Sequence, residues 1–158
     1  SAMPTAAFVA DAATENGKAL MLFLPQLEGV DLIVGNDIET FRAWERIAEV
    51  DIIVPVLFAG GSAALLSELW PLCPKARWVH SMAAGVETLV PQLLSLPRGP
   101  ETPLTNAKGA FSRSLAEYAL AAMLHFNKQV PRLQANRAGK VWEKFIMNEL
   151  HGQTVGFV

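Results

Sequence analysis

Short apolar, β-branched runs alternate along the chain with stretches whose apolar residues recur every three or four positions. That alternation is the signature of a parallel α/β sheet. Ala6 to Ala10, Val30 to Val34, Asp51 to Phe58, Ala76 to His80 and Leu104 to Asn106 read as five strands. Thr14 to Leu24 becomes the first crossover, because only a helix there is long enough to return the chain to a parallel neighbour. Asp37 predicts an N-cap for a helix from Ile38 to about Glu49. Gly60-Gly61-Ser62 opens a helix to about Trp70, and the turn Ser81 to Gly85 leads into a helix from Val86 to about Leu96. Strand three is apolar on both faces, as a sheet covered on both sides requires. Pro55 removes one ladder donor within it and points to an edge or a bulge.

From Ser114 the pattern changes. Leu115, Tyr118, Ala119, Ala122, Met123, Phe126, Val130 and Leu133 form one stripe of a long helix. Ser114-Leu-Ala-Glu117 predicts a capping box at its start, and Pro131 predicts a kink or an end. Leu150 to Val158 reads as a fresh strand with no partner element after it. Met3 is the expected native start.

Composition sharpens this picture. Of 158 residues, 51% are apolar and 18% charged, and the mean hydropathy is +0.27. Disorder is excluded, since it needs low hydrophobicity and high net charge. The chain is greasier than a self-contained soluble domain, which points to uncovered interface. A net charge of −2 without a basic face argues against nucleic acid as a partner. One cysteine, Cys73, excludes an internal disulfide and any cysteine-cluster metal site, and fits a reducing compartment. The longest uncharged stretch, Ile52 to Ser67, is sixteen residues interrupted by Pro55, Gly60 and Gly61, too short for a membrane helix. No basic region precedes an apolar run at the N-terminus, so the expected location is cytoplasmic, away from any membrane.

The candidate chemistry gathers at strand ends. Trp78-Val-His-Ser-Met-Ala-Ala-Gly-Val-Glu87 puts a glycine turn between a strand and a helix, where free backbone N–H groups make a ready anion site. Spacing alone favours the plainer account, a tight connection in which Gly85 serves the backbone angles. Gly60-Gly61-Ser62 is not a phosphate loop, since no Gly-Lys-Ser/Thr follows it. Both loops lie beyond the carboxyl ends of strands, where open α/β sheets bind ligands. His80, His125 and His151 share no metal-ligand spacing, and no metal site is expected. His80 alone stands next to the candidate turn, more as support than as catalyst. Ser81 lacks a Gly-x-Ser-x-Gly elbow, so a hydrolase triad has no footing.

Three segments in series resemble the D-isomer-specific 2-hydroxyacid dehydrogenases. Trp78 to Glu87 is similar to that family's substrate-loop motif. Leu104-Thr-Asn-Ala-Lys-Gly109 followed by Ser114 to Leu124 is similar to its Thr-Asn-x-x-Gly and Val-Ala-Glu segment. Arg137 to Trp142 with Glu149 to Val158 is similar to its run into the nucleotide-binding domain. The resemblance implies a flavodoxin-like parallel sheet of order 2-1-3-4-5 with flanking helices, a long interdomain and dimerisation helix, and the first strand of an absent Rossmann domain. The implied division is 1–104 for the substrate-binding domain, 105–149 for the interdomain segment and 150–158 for the truncated nucleotide-binding domain.

By the same resemblance, the backbone N–H groups of Ala84, Gly85 and Val86 hold a substrate carboxylate, and Asn106 stands near it. Phe58 and Gly60 face the substrate, Ser114 lies toward the nicotinamide end of the cofactor, and Glu117 supports the cap. The implied activity is reduction of a small 2-keto acid of glyoxylate, hydroxypyruvate or pyruvate type with NAD or NADP, in a homodimer that can swap its C-terminal segment. The arginine, the histidine and its carboxylate partner that carry the family's chemistry match nothing here. No catalytic residue is therefore expected in this chain, and it should not transfer hydride alone. The alternative is a stand-alone flavodoxin-like binding, regulatory or dimerisation module. A receiver is disfavoured because strand three ends in Leu57-Phe58 rather than an aspartate, and Asp11-Ala-Ala-Thr14 is a poor flavin phosphate loop.

Overall fold

A computed structural model describes residues 3–157; Ser1, Ala2 and Val158 lie outside the described residues. Two compact units divide the chain, 1–109 and 110–158. In the first, five strands form one sheet: β1 (Thr5–Val9), β2 (Asp31–Gly35), β3 (Ile52–Pro55), β4 (Trp78–Ser81) and β5 (Leu104–Asn106). All neighbours are parallel and the order is 2-1-3-4-5. The expected fold class is therefore present in this unit.

Strand alternation assigns the two faces. Ala7 and Val9 of β1, with Ile53 and Val79, pack under α2 (Ile38–Arg42), α3 (Leu65–Leu69) and α4 (Leu89–Ser95). Ala6 and Phe8, with Val54, pack under α1 (Glu15–Phe23). Right-handed crossovers produce this division. The step from β1 to β2 runs one way along the sheet, and every later step runs the other. Thr14 caps α1 by accepting from the Gly17 amide at 2.9 Å. Asp37 caps α2 through Thr40, and these hydrogen bonds hold its carboxyl below the usual range.

At the amino edge, Asp51 accepts from the Thr5 amide at 3.2 Å and from Arg77 Nε at 3.1 Å. Arg46 ties Asp31, Glu49 and the Thr5 hydroxyl together, so a polar network pins the starts of four strands.

Several boundaries differ from the sequence reading. The helix expected from Ile38 to Glu49 stops at Arg42 and resumes as a 3-10 turn at Ile47–Glu49, with Trp44 and Ile47 turned against the core between them. The helix expected from Ser62 starts at Leu65; Ser62 Oγ instead accepts from the Ala64 amide at 3.2 Å. Pro55 marks neither an edge nor a bulge. It ends β3, an inner strand, where the Val56 amide already serves Val9 and the β3–β4 register reaches only Ile53–Val79. No donor is needed at that position.

In the second unit, α5 (Ser112–Asn127) and α6 (Val130–Ala138) replace the single long helix. The break falls at Gln129, in a left-handed conformation with φ of 50°, and Pro131 occupies the first turn of α6 where its missing N–H costs nothing. The capping box does not form: α5 begins at Ser112, which leaves Ser114 and Glu117 inside the helix. Residues 150–157 form no strand, because a strand needs a neighbour to ladder with and these residues have none within the unit. After α6 the chain folds back on it. Arg132 bonds Glu143 at 2.8 Å and covers the Phe145 ring, and Lys128 Nζ reaches the Asn148 carbonyl at 2.6 Å. Neither helix has a buried residue, and Tyr118, Phe126, Trp142 and Ile146 are largely exposed. Among the described residues, no helix is long and apolar enough to cross a membrane.

Cys73 lies fully buried under α3, and burial pushes its thiol from 9.0 up to about 12, against a smaller opposing pull from Arg98. The thiol should ignore alkylating reagents at pH 8 until the chain unfolds. Its linkage sign follows directly. Between pH 9.0 and about 12 the unfolded chain ionises this thiol and the folded chain does not, so stability falls over that interval. Denaturant midpoints measured from pH 8 upward should decline more steeply for the natural protein than for Cys73→Ala.

Candidate functional site

Because all five strands run one way, the loops after them share one edge of the first unit. After β3, a 3-10 turn at Leu57–Ala59 runs into Gly60, whose φ of 74° is a left-handed conformation that glycine adopts without strain. The Asp11 amide donates to the Ala59 carbonyl and Asn16 Nδ2 to the Phe58 carbonyl, both at 2.8 Å. A β-carbon on Gly61 would stand 2.2 Å from the Val9 carbonyl oxygen, so the β3 loop lies directly against the end of β1. Phe58 and Gly60 thus stand on an anchored loop, with the Phe58 ring 45% exposed.

The loop after β4 departs from the sequence reading. Helix α4 starts at Leu89 rather than Val86, so Ala84, Gly85 and Val86 belong to the turn before it. Their N–H groups are turn amides, and none has an acceptor among the described hydrogen bonds. The carbonyls of Ala83 and Ala84 are held by neighbouring donors. The Ala83 carbonyl accepts from the Ala107 amide at 3.3 Å and from the buried Ser81 hydroxyl at 3.1 Å. The Ala84 carbonyl accepts from Asn106 Nδ2 at 2.6 Å.

A trans peptide holds its C=O and N–H antiparallel, and among the described residues there is no cis bond. Drawing the carbonyls of Ala83 and Ala84 toward β5 therefore turns the Ala84 and Gly85 N–H groups away from it together. Two adjacent amides aimed one way form an anion-binding concavity. Glu87 curls back over this turn, its Oε2 2.7 Å from where a Gly85 β-carbon would stand.

The remaining residues fall elsewhere. His80 does not point into the turn. One position from buried Val79, it faces the opposite side of the sheet, where Thr105 Oγ1 lies 2.8 Å from its Nδ1 and 2.8 Å from Trp78 Nε1. There it lines an open apolar cavity of about 350 Å³ with Phe8, Val54 and Met82. Ser114 belongs to the second unit, exposed in the first turn of α5. The sequence reading missed how Ser81 and Asn106 act together. Only the register of the folded sheet, which pairs these two strand-end residues directly, brings them together.

No segment of the 158 residues follows Gly-x-Gly-x-x-Gly, so nothing here fits the cradle a dinucleotide pyrophosphate needs. Among the described residues, no cluster of acidic, histidine and cysteine side chains could hold a metal ion.

No protein-family model matches the chain, nor does any curated protein. Among solved structures, it is similar to a D-isomer specific 2-hydroxyacid dehydrogenase family protein from Aeromonas salmonicida subsp. salmonicida. The two superpose with a TM-score of 0.62 at 19% identity, over 96% of this chain and 44% of the other. At that identity the likeness is one of fold. The chain spans less than half the length of this relative.

Since the β3 loop has no room for a β-carbon at Gly61, Gly61→Ala should cost about 2–3 kcal/mol. Urea unfolding would register this as a lower midpoint with an unchanged slope.

Proposed function

We propose that this chain is the substrate-binding portion of an NAD(P)-dependent D-2-hydroxyacid dehydrogenase that reduces a small 2-keto acid of glyoxylate, hydroxypyruvate or pyruvate type. The observation that carries the reading is the pair of adjacent amides of Ala84 and Gly85, without acceptors among the described hydrogen bonds, at the carboxyl edge of a 2-1-3-4-5 sheet. In this reading the two amides, with Val86 beside them, hold the acid's carboxylate, and the loop of Phe58 and Gly60 borders its other end. Ser114 faces the nicotinamide end of the cofactor, NAD or NADP.

The chemistry asked of these residues is binding and orientation. A carboxylate has oxygens enough for both N–H groups, and each charge-assisted bond contributes roughly 1.5–3 kcal/mol. Two of them, roughly 3–6 kcal/mol together, correspond to dissociation constants from several millimolar down to tens of micromolar. Binding the carboxylate at one end leaves the 2-keto carbon facing out of the turn, toward a hydride donor that residues outside this chain must supply. No proton-transfer step is assigned to His80, which is bonded to Thr105 on the other side of the sheet.

The exposed apolar side chains of α5 and of the segment after α6 support a homodimer built on the second unit, with exchange of the C-terminal segment as one route to it. The same argument accounts for the high apolar content of the sequence. A cytoplasmic location goes with this reading.

The coding sequence read beyond Val158, and its full-length product assayed for NADH- and NADPH-dependent reduction of glyoxylate, hydroxypyruvate and pyruvate, tests the proposal. Turnover is expected on at least one acid, and none from the 158-residue chain alone. No turnover on any acid with either cofactor would overturn it. In sedimentation the chain should associate as its concentration rises, whereas a strict monomer at high concentration would remove the dimer.

A further inference from the structure

Asn106 was expected beside the substrate, yet both ends of its side-chain amide are engaged within the protein. Nδ2 donates to the Ala84 carbonyl at 2.6 Å, and Oδ1 accepts from the Lys108 amide at 3.4 Å. The second contact decides the first: with the Lys108 N–H on one side of the amide, the nitrogen must face Ala84. Each end keeps one further site, the second N–H of Nδ2 and the second lone pair of Oδ1, while the two contacts fix where the amide lies.

The two carbonyls that orient the turn are not equally secured. Ala83 has two donors, a backbone amide and the Ser81 hydroxyl. Among the described hydrogen bonds, Ala84 has one, and it is Asn106. The Ala84 carbonyl shares its peptide plane with the Gly85 N–H, so whatever fixes one fixes the other. Gly85 has no side chain to restrain that plane, and the nearest group on its open side is the carboxylate of Glu87, which cannot donate to a carbonyl once ionised.

We infer that Asn106 is a positioning residue: from the end of β5 it holds the Ala84 peptide plane so that the Gly85 N–H lies alongside that of Ala84. The inference rests on the reading of this turn as a carboxylate site and names the residue that sets its geometry. The acid then meets two amides already aligned, with no rotation of the peptide on binding. An asparagine is suited to the task because its planar amide presents a donor and an acceptor in fixed opposition. Aspartate has nearly the same shape, keeps the acceptor for Lys108, and replaces the donor with a second acceptor that repels the Ala84 carbonyl.

The test uses the 158-residue chain, labelled with nitrogen-15, and two readouts. Residual dipolar couplings of the Ala84 and Gly85 amides report N–H direction without ligand, and titration with sodium glyoxylate reports binding at the same two resonances. In Asn106→Asp the Gly85 coupling should change while those of β1 to β4 stay, and glyoxylate should bind at least tenfold more weakly. Asn106→Ser, which loses the reach to Ala84 without adding charge, should behave likewise and serves if the aspartate variant does not fold. Unchanged Gly85 couplings in both variants, or glyoxylate binding equal to the natural chain's, would overturn the inference. A natural chain whose amides do not respond to glyoxylate would instead overturn the carboxylate reading, while changed couplings in the variants would still show that Asn106 sets the turn.

Discussion

A parallel sheet cannot turn back on itself in two residues, so each strand must be followed by a crossover that carries the chain the full length of the sheet. Five parallel strands therefore collect five loops at one edge, and the handedness of the crossovers decides which helix lies on which face. Everything at the candidate site depends on this constraint. It seats the β3 loop against the end of β1, and it puts Ser81 and Asn106 side by side at the ends of β4 and β5. Nothing in the local sequence of the β4 turn would direct its carbonyls toward Asn106. Adjacency of the two strands does.

The chemistry at that edge is of a restrained kind. The polarity of the β4 turn comes from backbone dipoles, the carbonyls of Ala83 and Ala84 being held by Ala107, Ser81 and Asn106. Such a site is weak in water and gains strength where water is excluded. Under the function proposed above, such an edge would align one end of a small acid and leave its reduction to other groups. The apolar surface of the second unit belongs to the same account. Helices without a single buried residue are not stable from propensity alone and need another surface to cover them.

Much of the first unit was legible because its signals are periodic. Ala6 to Ala10 reads as a strand and β1 covers Thr5–Val9, while the faces taken by Ala7 and Val9 and by Ala6 and Phe8 come from the structure. Asp37 caps as a short polar residue ahead of a helix should. The failures occur where a local rule met a tertiary one. Ser114 and Glu117 have the spacing of a capping box, yet α5 begins two residues before Ser114. Pro55 reads as an edge residue, yet the neighbouring ladder has ended where its missing donor would point. Residues 150–157 have a strand's composition and nothing to pair with in this unit.

The sequence by itself determined the sheet, its buried faces, the succession of strand and helix, and which loops carry glycine, because each follows from spacing between residues near one another in the chain. Only the tertiary structure decided what the polar side chains do. Asn106 finds Ala84 across 22 positions and His80 finds Thr105 across 25. Both bonds are set by which strands lie next to each other and where each one stops, and neither leaves a periodic trace. That is why Asn106, read from the sequence as a neighbour of the substrate, shows in the folded chain a role the sequence did not carry, as donor to the Ala84 carbonyl.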